Sequence, residues 1–238
     1  DRPVWVDNDV NIMTLGEWRS GLANGHDDFM FVKVGTGIGC GFVSNGRIHR
    51  GAQGSAGDIG HVQVASEERQ ICRCGKIDCL ESHAGGAALA REGTRLAENG
   101  ESERLATVLR ERGSITAREV IRAARVGDPA SARLLDQSAR LVGQTLASLA
   151  NFFNPSLIVV GGGVARAGDA YLATIRQVIY ARSTALATRE LLVQLSRLGN
   201  RAGVIGGASM VLDELFSAHQ LAAWIDEGRP AALLETAA

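Results

Sequence analysis

One histidine and three cysteines lie close together in this sequence, at spacings typical of a metal site. His61, Cys72, Cys74 and Cys79 follow the pattern H-x10-C-x-C-x4-C. One nitrogen and three sulfurs make the closed tetrahedral shell in which proteins hold structural zinc, and sulfur ligands argue against magnesium or calcium. The alternative is three reduced cysteines beside an unrelated histidine. We therefore predict a structural zinc ion here, and a place in the core for Cys40, which lies in a glycine-flanked apolar segment.

Two glycine-rich segments are candidates for binding phosphate: Gly35, Thr36 and Gly37, and Gly161, Gly162 and Gly163. The first can offer backbone N–H groups and a hydroxyl to an anion. The second stands between an apolar strand and a helix, whose N-terminus attracts phosphate. The alternatives are a turn without a ligand and close helix–strand packing. Two such segments in one chain favour a nucleotide site.

Polar residues at the end of the first predicted strand and around the metal ligands are candidates for binding a sugar. Asn8 and Asp9 are adjacent, while Asp58 and Glu81 flank the metal-binding segment, together with His61. Amide and carboxylate groups hold vicinal hydroxyls, and a carboxylate can also accept a proton. The alternatives are a helix cap for Asn8 and Asp9 and surface carboxylates for the other two.

Composition and cysteine usage indicate a cytoplasmic protein. Three of the four cysteines lie between positions 72 and 79, too close together for separate disulfides, and no secretory signal opens the chain, so a reduced compartment is expected. No apolar run reaches the roughly 20 residues of a membrane helix. The 25 basic and 26 acidic residues balance, which argues against nucleic-acid binding by this chain itself.

The elements that position these residues follow from hydrophobic periodicity. Strands are predicted at 3–6, 29–34, 38–44, 47–50, 157–160 and 191–195, the third and fourth joined by the hairpin signal Asn45-Gly46. Helices are predicted at 12–21 (capped by Asp9 or Asn11), 82–99, 103–111, 116–126, 129–153, 167–182 and 204–216. Residues 217–238 are predicted to form a peripheral helix or a frayed tail. This order predicts an α/β fold with its glycine segments at the carboxyl ends of strands.

The motifs G-T-G-I-G-C-G, G-x2-G-D-I-G-H, C-R-C-G-x3-C-L-E and N-D-x-N together resemble the ROK family of repressors, open reading frames and sugar kinases. The resemblance runs from position 3 to about 216. It implies the actin-like, RNase-H-like sugar-kinase fold, as the larger C-terminal lobe with a zinc loop at 61–81 and a helical insert. One lobe over 1–216 and a separate tail over 217–238 are expected.

The resemblance also implies roles for the candidate residues. Asn8 and Asp9 would bind sugar hydroxyls, with Asp9 the general base in kinase members. His61 would bind zinc through one ring nitrogen and touch the sugar through the other, and Glu81 would lie beside the anomeric centre. Residues 35–37 match the second phosphate loop and 161–163 the adenosine-side loop. Zinc would then hold His61 and the 79–81 turn against the sugar.

Two departures from the family's kinases bear on function. Asp58 stands where kinases usually have Glu, so a water-bridged sugar contact is expected. The small N-terminal lobe with its first phosphate loop is absent from the sequence, which begins at Asp1 without Met.

We therefore expect the sugar-sensing domain of a ROK transcriptional regulator, binding a sugar or sugar phosphate, with a DNA-binding module upstream of Asp1. The alternative is an ATP-dependent, glucokinase-like sugar kinase, which would also need ATP with magnesium. A homodimer or homotetramer is expected in either case.

Overall fold

The computed structural model describes residues 4–65 and 69–228. Its five strands are β1 (Phe29–Val34), β2 (Ile38–Ser44), β3 (Arg47–His49), β4 (Leu157–Gly161) and β5 (Leu192–Leu195). They form one sheet in the order β3-β2-β1-β4-β5. The first three strands are an antiparallel meander, and β4 pairs parallel to both β1 and β5. The predicted α/β class and meander are confirmed.

Helices cover both faces of this sheet. They are α1 (Asp9–Ser20), α2 (Leu80–Ala84), α3 (Gly86–Glu98), α4 (Glu103–Arg112), α5 (Ala117–Arg125), α6 (Pro129–Phe153), α7 (Asp169–Arg182), α8 (Ala185–Thr188), α9 (Arg201–Leu215) and α10 (Ala218–Glu227). Short 3-10 turns occur at Ile59–His61 and Val164–Ala167. None of the described helices is both long enough and apolar enough to cross a bilayer.

Alternate residues of β1 enter two separate cores. Met30 and Val32 are buried in the larger core, which the helical insert, α6 and α7 cover. Phe29 and Phe31 point to the other face and are buried in a smaller core with Val10 of α1. Because side chains alternate along a strand, burial on both faces gives the uninterrupted apolar run of β1. The strand is thereby fixed, and its carboxyl end presents the 35–37 turn.

Helices α1 and α9 approach each other through glycine. A Cβ atom built on Gly206 would lie 1.7 Å from the carbonyl oxygen of Ile12, and one on Gly16 would lie 2.0 Å from that of Ala202. Only residues without side chains allow this approach. The packing holds α1, whose first residues are the candidate sugar ligands.

Several predicted boundaries are wrong. Residues 4–6 form no strand, and the Val4 and Val6 side chains are exposed, because no described strand pairs with this segment; position 3 lies outside the described residues. Helix α1 begins at Asp9 and is capped by Asn8, not by Asp9 or Asn11, since the Asn8 side chain accepts from the backbone N–H of Val10.

Two predicted helices are interrupted at glycine. The predicted helix 82–99 begins earlier, at Leu80, and is divided into α2 and α3 by Gly85, whose ψ of 166° is extended. A Cβ there would lie 2.9 Å from the carbonyl oxygen of Thr36. Gly85 therefore packs closely against the 35–37 turn, and the helix is interrupted at this residue. The predicted helix 167–182 likewise starts only after Gly168, whose φ is 90°. The predicted tail contains α10, and 229–238 lie outside the described residues.

A candidate sugar cleft beside a Cys3His cluster

A cleft of about 1550 Å³ brings most of the predicted site residues together. Its walls include Asn8, Asp9, Gly35, Thr36, Gly37, Asp58, His61, Glu81 and Gly163. Gly161 and Gly162 are not among its lining residues: Gly161 ends β4 and is buried, and Gly162 turns the chain at a φ of 94°. The cleft thus joins the start of α1, the β1–β2 turn and the metal-binding segment.

Asn8 and Asp9 sit at the N-terminus of α1. The Asn8 Oδ1 atom accepts from the N–H of Val10 at 2.8 Å, so the amide NH₂ group is the part of Asn8 available to a ligand. The Asp9 side chain is 68% exposed, and its Oδ2 atom lies 2.5 Å from the Nζ atom of Lys33 on β1. Helix capping uses the Asn8 Oδ1 atom and leaves the NH₂ group free, so capping is compatible with the predicted role in ligand binding.

Asp7 anchors the segment that leads into α1. Its carboxylate accepts hydrogen bonds from Arg50 at 2.7 and 3.0 Å, and from the Asn11 side chain at 3.0 Å. Burial alone would raise the pKa of Asp7, but these hydrogen bonds and one from the N–H of Asn8 outweigh it and lower the pKa below its usual value. The charged carboxylate therefore ties the start of α1 to the end of β3.

The 35–37 turn is held by its carbonyl groups. The N–H groups of Gly86 and Ala87, at the start of α3, donate to the carbonyls of Gly35 and Thr36 at 2.6 and 3.1 Å, and Gly35 donates to Gly37 at 2.9 Å. Among the described residues, no group accepts from the backbone N–H of Thr36 or Gly37. Consecutive unpaired N–H groups of this kind form an anion-binding concavity.

Glu81 lies beneath this turn. Its side chain is 8% exposed and accepts from the N–H of Ile38 at 3.3 Å and from Arg73 at 3.0 Å. A Cβ on Gly37 would come within 2.4 Å of the Glu81 carboxylate, so glycine at 37 is required for the contact. Glu81 braces the turn, and its predicted contact with the anomeric centre stays a prediction.

Asp58 and His61 come from the second glycine-rich segment, which packs along the start of β2. Gly57 has a φ of 98°, and a Cβ there would lie 1.8 Å from the carbonyl oxygen of Cys40, so only glycine permits this path. The Asp58 side chain is 61% exposed, and its Oδ1 atom lies 3.8 Å from the Nε2 atom of His61. This separation exceeds a hydrogen bond.

The predicted metal ligands meet in one cluster. The ligand atoms of His61, Cys72, Cys74 and Cys79 all lie within 4.8 Å of one another. Cys72 Sγ is 3.6 Å from His61 Nδ1, and Cys74 Sγ is 3.7 Å from Cys79 Sγ. A tetrahedral zinc ion with its usual bond lengths separates such atom pairs by about 3.6 and about 3.8 Å. The donor set and its spacing therefore fit zinc.

The environment of the thiols differs across the cluster. Burial raises the pKa of Cys79 to about 12, whereas the backbone N–H of Lys76 lowers the pKa of the exposed Cys74. Cys79 would hence be protonated at neutral pH without a cation, and a bound metal would keep it as thiolate. Cys40 is buried in the larger core, as predicted.

Sequence reasoning missed the basic residues of the cleft. Among the described residues, seven of them line it: Lys33, Arg73, Arg112, Arg118, Arg122, Arg125 and Arg166. Lys33 and Arg73 are the two that lie against the 35–37 turn. The signal for Lys33 was available, since it is a charge within the otherwise apolar strand F-M-F-V-K-V. Arg73 stands between two metal ligands in sequence, and only the folded loop places it against the 35–37 turn.

The model of the ROK family matches residues 1–214. A glucokinase of Halalkalibacterium halodurans is 40% identical over 209 residues, covering 88% of this chain and 63% of that protein. A xylose repressor of Caldicellulosiruptor bescii is 32% identical over 215 residues, covering 90% of this chain and 53% of the repressor. The chain thus spans between half and two thirds of these relatives.

The fold comparison agrees with the sequence comparison. A ROK family glucokinase from Streptomyces griseus, solved in complex with glucose and AMPPNP, has a TM-score of 0.77 to this structure at 34% identity. The match covers 87% of this chain and 68% of that one. The predicted actin-like fold is confirmed.

Proposed function

This chain belongs to the ROK family, and we propose that its cleft binds a sugar. The observation that carries the proposal is the convergence of Asn8, Asp9 and His61 on one cleft, beside a turn with unpaired N–H groups. An amide, a carboxylate and an imidazole supply the donors and acceptors that vicinal hydroxyls need.

Zinc would organise this pocket without taking part in the chemistry. His61, Cys72, Cys74 and Cys79 would hold it, and a closed shell of protein ligands leaves no position for substrate. Through His61 and the Cys79–Glu81 turn, the metal would fix the wall that faces the sugar.

Two functions could use the bound sugar, namely phosphoryl transfer in a kinase and sensing in a transcriptional regulator. The comparisons support phosphoryl transfer better, because this chain is 40% identical to the glucokinase and 32% identical to the repressor. Asp9 is exposed to the cleft, where it would take the proton of the attacking hydroxyl. ATP with magnesium would supply the phosphoryl group, and the 35–37 turn would hold phosphate. The chain spans 63% of that glucokinase, so turnover is a proposal for the whole protein.

Sugar sensing in a transcriptional regulator is the second candidate, and the Lys33–Asp9 ion pair favours it. The Lys33 ammonium occupies the Oδ2 atom of Asp9 at 2.5 Å, which leaves only the other carboxylate oxygen to accept a hydroxyl proton. Asp58, shorter than the glutamate of the family's kinases, favours the same use. An upstream DNA-binding module and a homodimer or homotetramer remain predictions from the resemblance.

Calorimetric titration of the zinc-loaded protein with glucose, mannose, N-acetylglucosamine and xylose tests the proposal. We expect saturable binding of at least one sugar; no binding of any would contradict it. If the full-length protein is a kinase, Asp9→Asn should lower ATP-dependent turnover by about 100-fold and change sugar affinity only a few-fold. Asp226→Asn, an exposed position on α10, should change neither. If the unmodified full-length protein binds a sugar but does not phosphorylate it, the protein is a sugar sensor and not a kinase.

A further inference from the structure

The three thiols of the metal cluster differ in their exposure to solvent. Cys74 is exposed, whereas Cys72 and Cys79 are buried, with 4% and 1% of their surfaces accessible. The Sγ atoms of Cys74 and Cys79 lie 3.7 Å apart. Because a disulfide holds its sulfurs at about 2.0 Å, a movement of roughly 1.7 Å would join them. An exposed thiol beside a second cysteine is the arrangement typical of oxidation-sensing sites.

The backbone holds Cys79 in place and leaves Cys74 room to move. Cys79 forms a β-bridge with Gln63, on the segment that carries His61. Cys74 lies in the loop 71–77, whose two ends are joined by a β-bridge of their own. A Cβ built on Gly75 would meet none of the described atoms within 4 Å, so the tip of this loop has open space around it. Cys74 is therefore the sulfur that can travel to its partner.

We propose that Cys74 and Cys79 form a reversible disulfide when the protein meets hydrogen peroxide, and that this oxidation releases the metal ion. The Cys74 thiolate attacks one peroxide oxygen, the O–O bond breaks and hydroxide leaves, which makes Cys74 a sulfenic acid. The Cys79 thiolate then attacks the sulfur of Cys74, forms the S–S bond and expels a second hydroxide. Each sulfur loses one electron, and the peroxide gains both. A dithiol reverses the reaction by thiol–disulfide exchange.

The oxidation would act on both the metal and the cleft. It removes two of the four ligands, and His61 and Cys72 alone do not complete a tetrahedral shell. The loop that moves also carries Arg73, which donates to Glu81 in the wall of the cleft at 3.0 Å. The oxidation itself does not depend on the proposed sugar binding, whereas its effect on the cleft does.

Metal release and disulfide mapping test the modification site directly. Zinc-loaded protein is treated with hydrogen peroxide beside a chromogenic zinc chelator, then alkylated and mapped by mass spectrometry. We expect release of about one zinc ion per chain, a Cys74–Cys79 disulfide, and a reduced Cys40, which is buried in the larger core. Dithiothreitol with added zinc should restore the metal content. Retention of the metal with all four thiols intact, or a disulfide between other cysteines, would overturn the inference.

The variant Cys74→His tests which thiol the peroxide attacks. Histidine replaces the exposed thiol with another zinc ligand, as in Cys2His2 sites, so the variant should load zinc. Its zinc release in peroxide should be at least about tenfold slower than that of wild type, since the accessible thiol is gone. Release as fast as from wild type would contradict the proposal. If the variant loads no zinc, the disulfide map of the wild-type protein decides alone.

Glucose titration separates this inference from the proposed function. Oxidised protein should bind glucose at least about tenfold more weakly than reduced, zinc-loaded protein, and reduction with added zinc should restore the affinity. A mapped disulfide with metal release but unchanged glucose affinity supports the oxidation site and overturns its effect on the cleft. If neither form binds any sugar, the proposed function fails, while the oxidation site is still judged by metal release and the disulfide map.

Discussion

At the scale of single residues, Asp7 shows how the cleft depends on a charge outside the binding site. It precedes Asn8 and Asp9 and is held by Arg50, the residue after β3, and by Asn11 of α1. The Asp7 side chain is 11% exposed, and its Arg50 partner is 52% exposed. This contact therefore fixes the direction in which the next two residues enter the cleft.

We expect Asp7→Asn to lower the free energy of unfolding by roughly 1–2 kcal/mol at pH 7, the range for a partly exposed, charge-assisted contact. The folded-state pKa of Asp7 is lowered, so its contribution is complete above the usual value of about 3.9 and is lost as pH falls through the folded-state pKa. The difference between wild type and variant should shrink below about pH 4, as urea unfolding at several pH values measures.

Glu98→Gln is the control, since Glu98 is an exposed carboxylate at the end of α3. It should not reproduce the effect of Asp7→Asn. A stability difference for Asp7→Asn that persists unchanged at acid pH would show that packing, and not the charge, anchors the segment.

At the scale of elements, the close approach of α1 and α9 holds α1 in place, and the start of α1 forms one wall of the cleft. Gly206 and Gly207 are neighbours on α9 with opposite surroundings. A Cβ on Gly206 would meet the Ile12 carbonyl oxygen at 1.7 Å, whereas one on Gly207 would meet nothing within 4 Å. The pair is a matched test of this helix contact.

Gly206→Ala should destabilise the protein by about 1–3 kcal/mol through overpacking and weaken sugar binding, because α1 carries Asn8 and Asp9. Gly207→Ala should be neutral or stabilising by up to about 1 kcal/mol, since alanine favours helix. Chemical denaturation and sugar titration measure both effects. Equal stability of the two variants would contradict the contact.

The sequence predicted elements whose signals are local. The β2–β3 hairpin depended on Asn45 and Gly46, which do adopt the left-handed conformation its turn requires, at φ of 49° and 67°. The metal cluster could be predicted for the same reason, because it is recognised from the types of its ligands and their spacing in the sequence. The cleft-lining glycines Gly35 and Gly37 also followed from the motif.

What escaped prediction depends on contacts made in space. The pattern of residues 3–6 favours a strand, but 4–6 have no described neighbour to pair with. The break at Gly85 follows from its contact with Thr36, which lies 49 positions earlier in the chain. The placement of Arg73 against Gly37 likewise arises only after the metal loop folds.

At the scale of the whole molecule, we propose that metal binding and sugar binding are coupled in the cleft. His61 belongs to both the metal cluster and the cleft, and Glu81, two residues after Cys79, braces the 35–37 turn. Loss of the ion would release this wall, which has little apolar content of its own to hold it. The central claim is that zinc organises a sugar pocket.

The most direct measurement is the glucose affinity of one preparation before and after its metal is removed by chelation, with metal content determined in parallel. The account predicts one zinc ion per chain and an affinity at least about tenfold weaker without it, the scale of effects that orienting contacts at metal sites produce. Cys74→Ser should behave like the stripped protein, and Cys40→Ala should retain both metal and affinity. Glucose affinity that is unchanged after verified loss of the metal would contradict the claim.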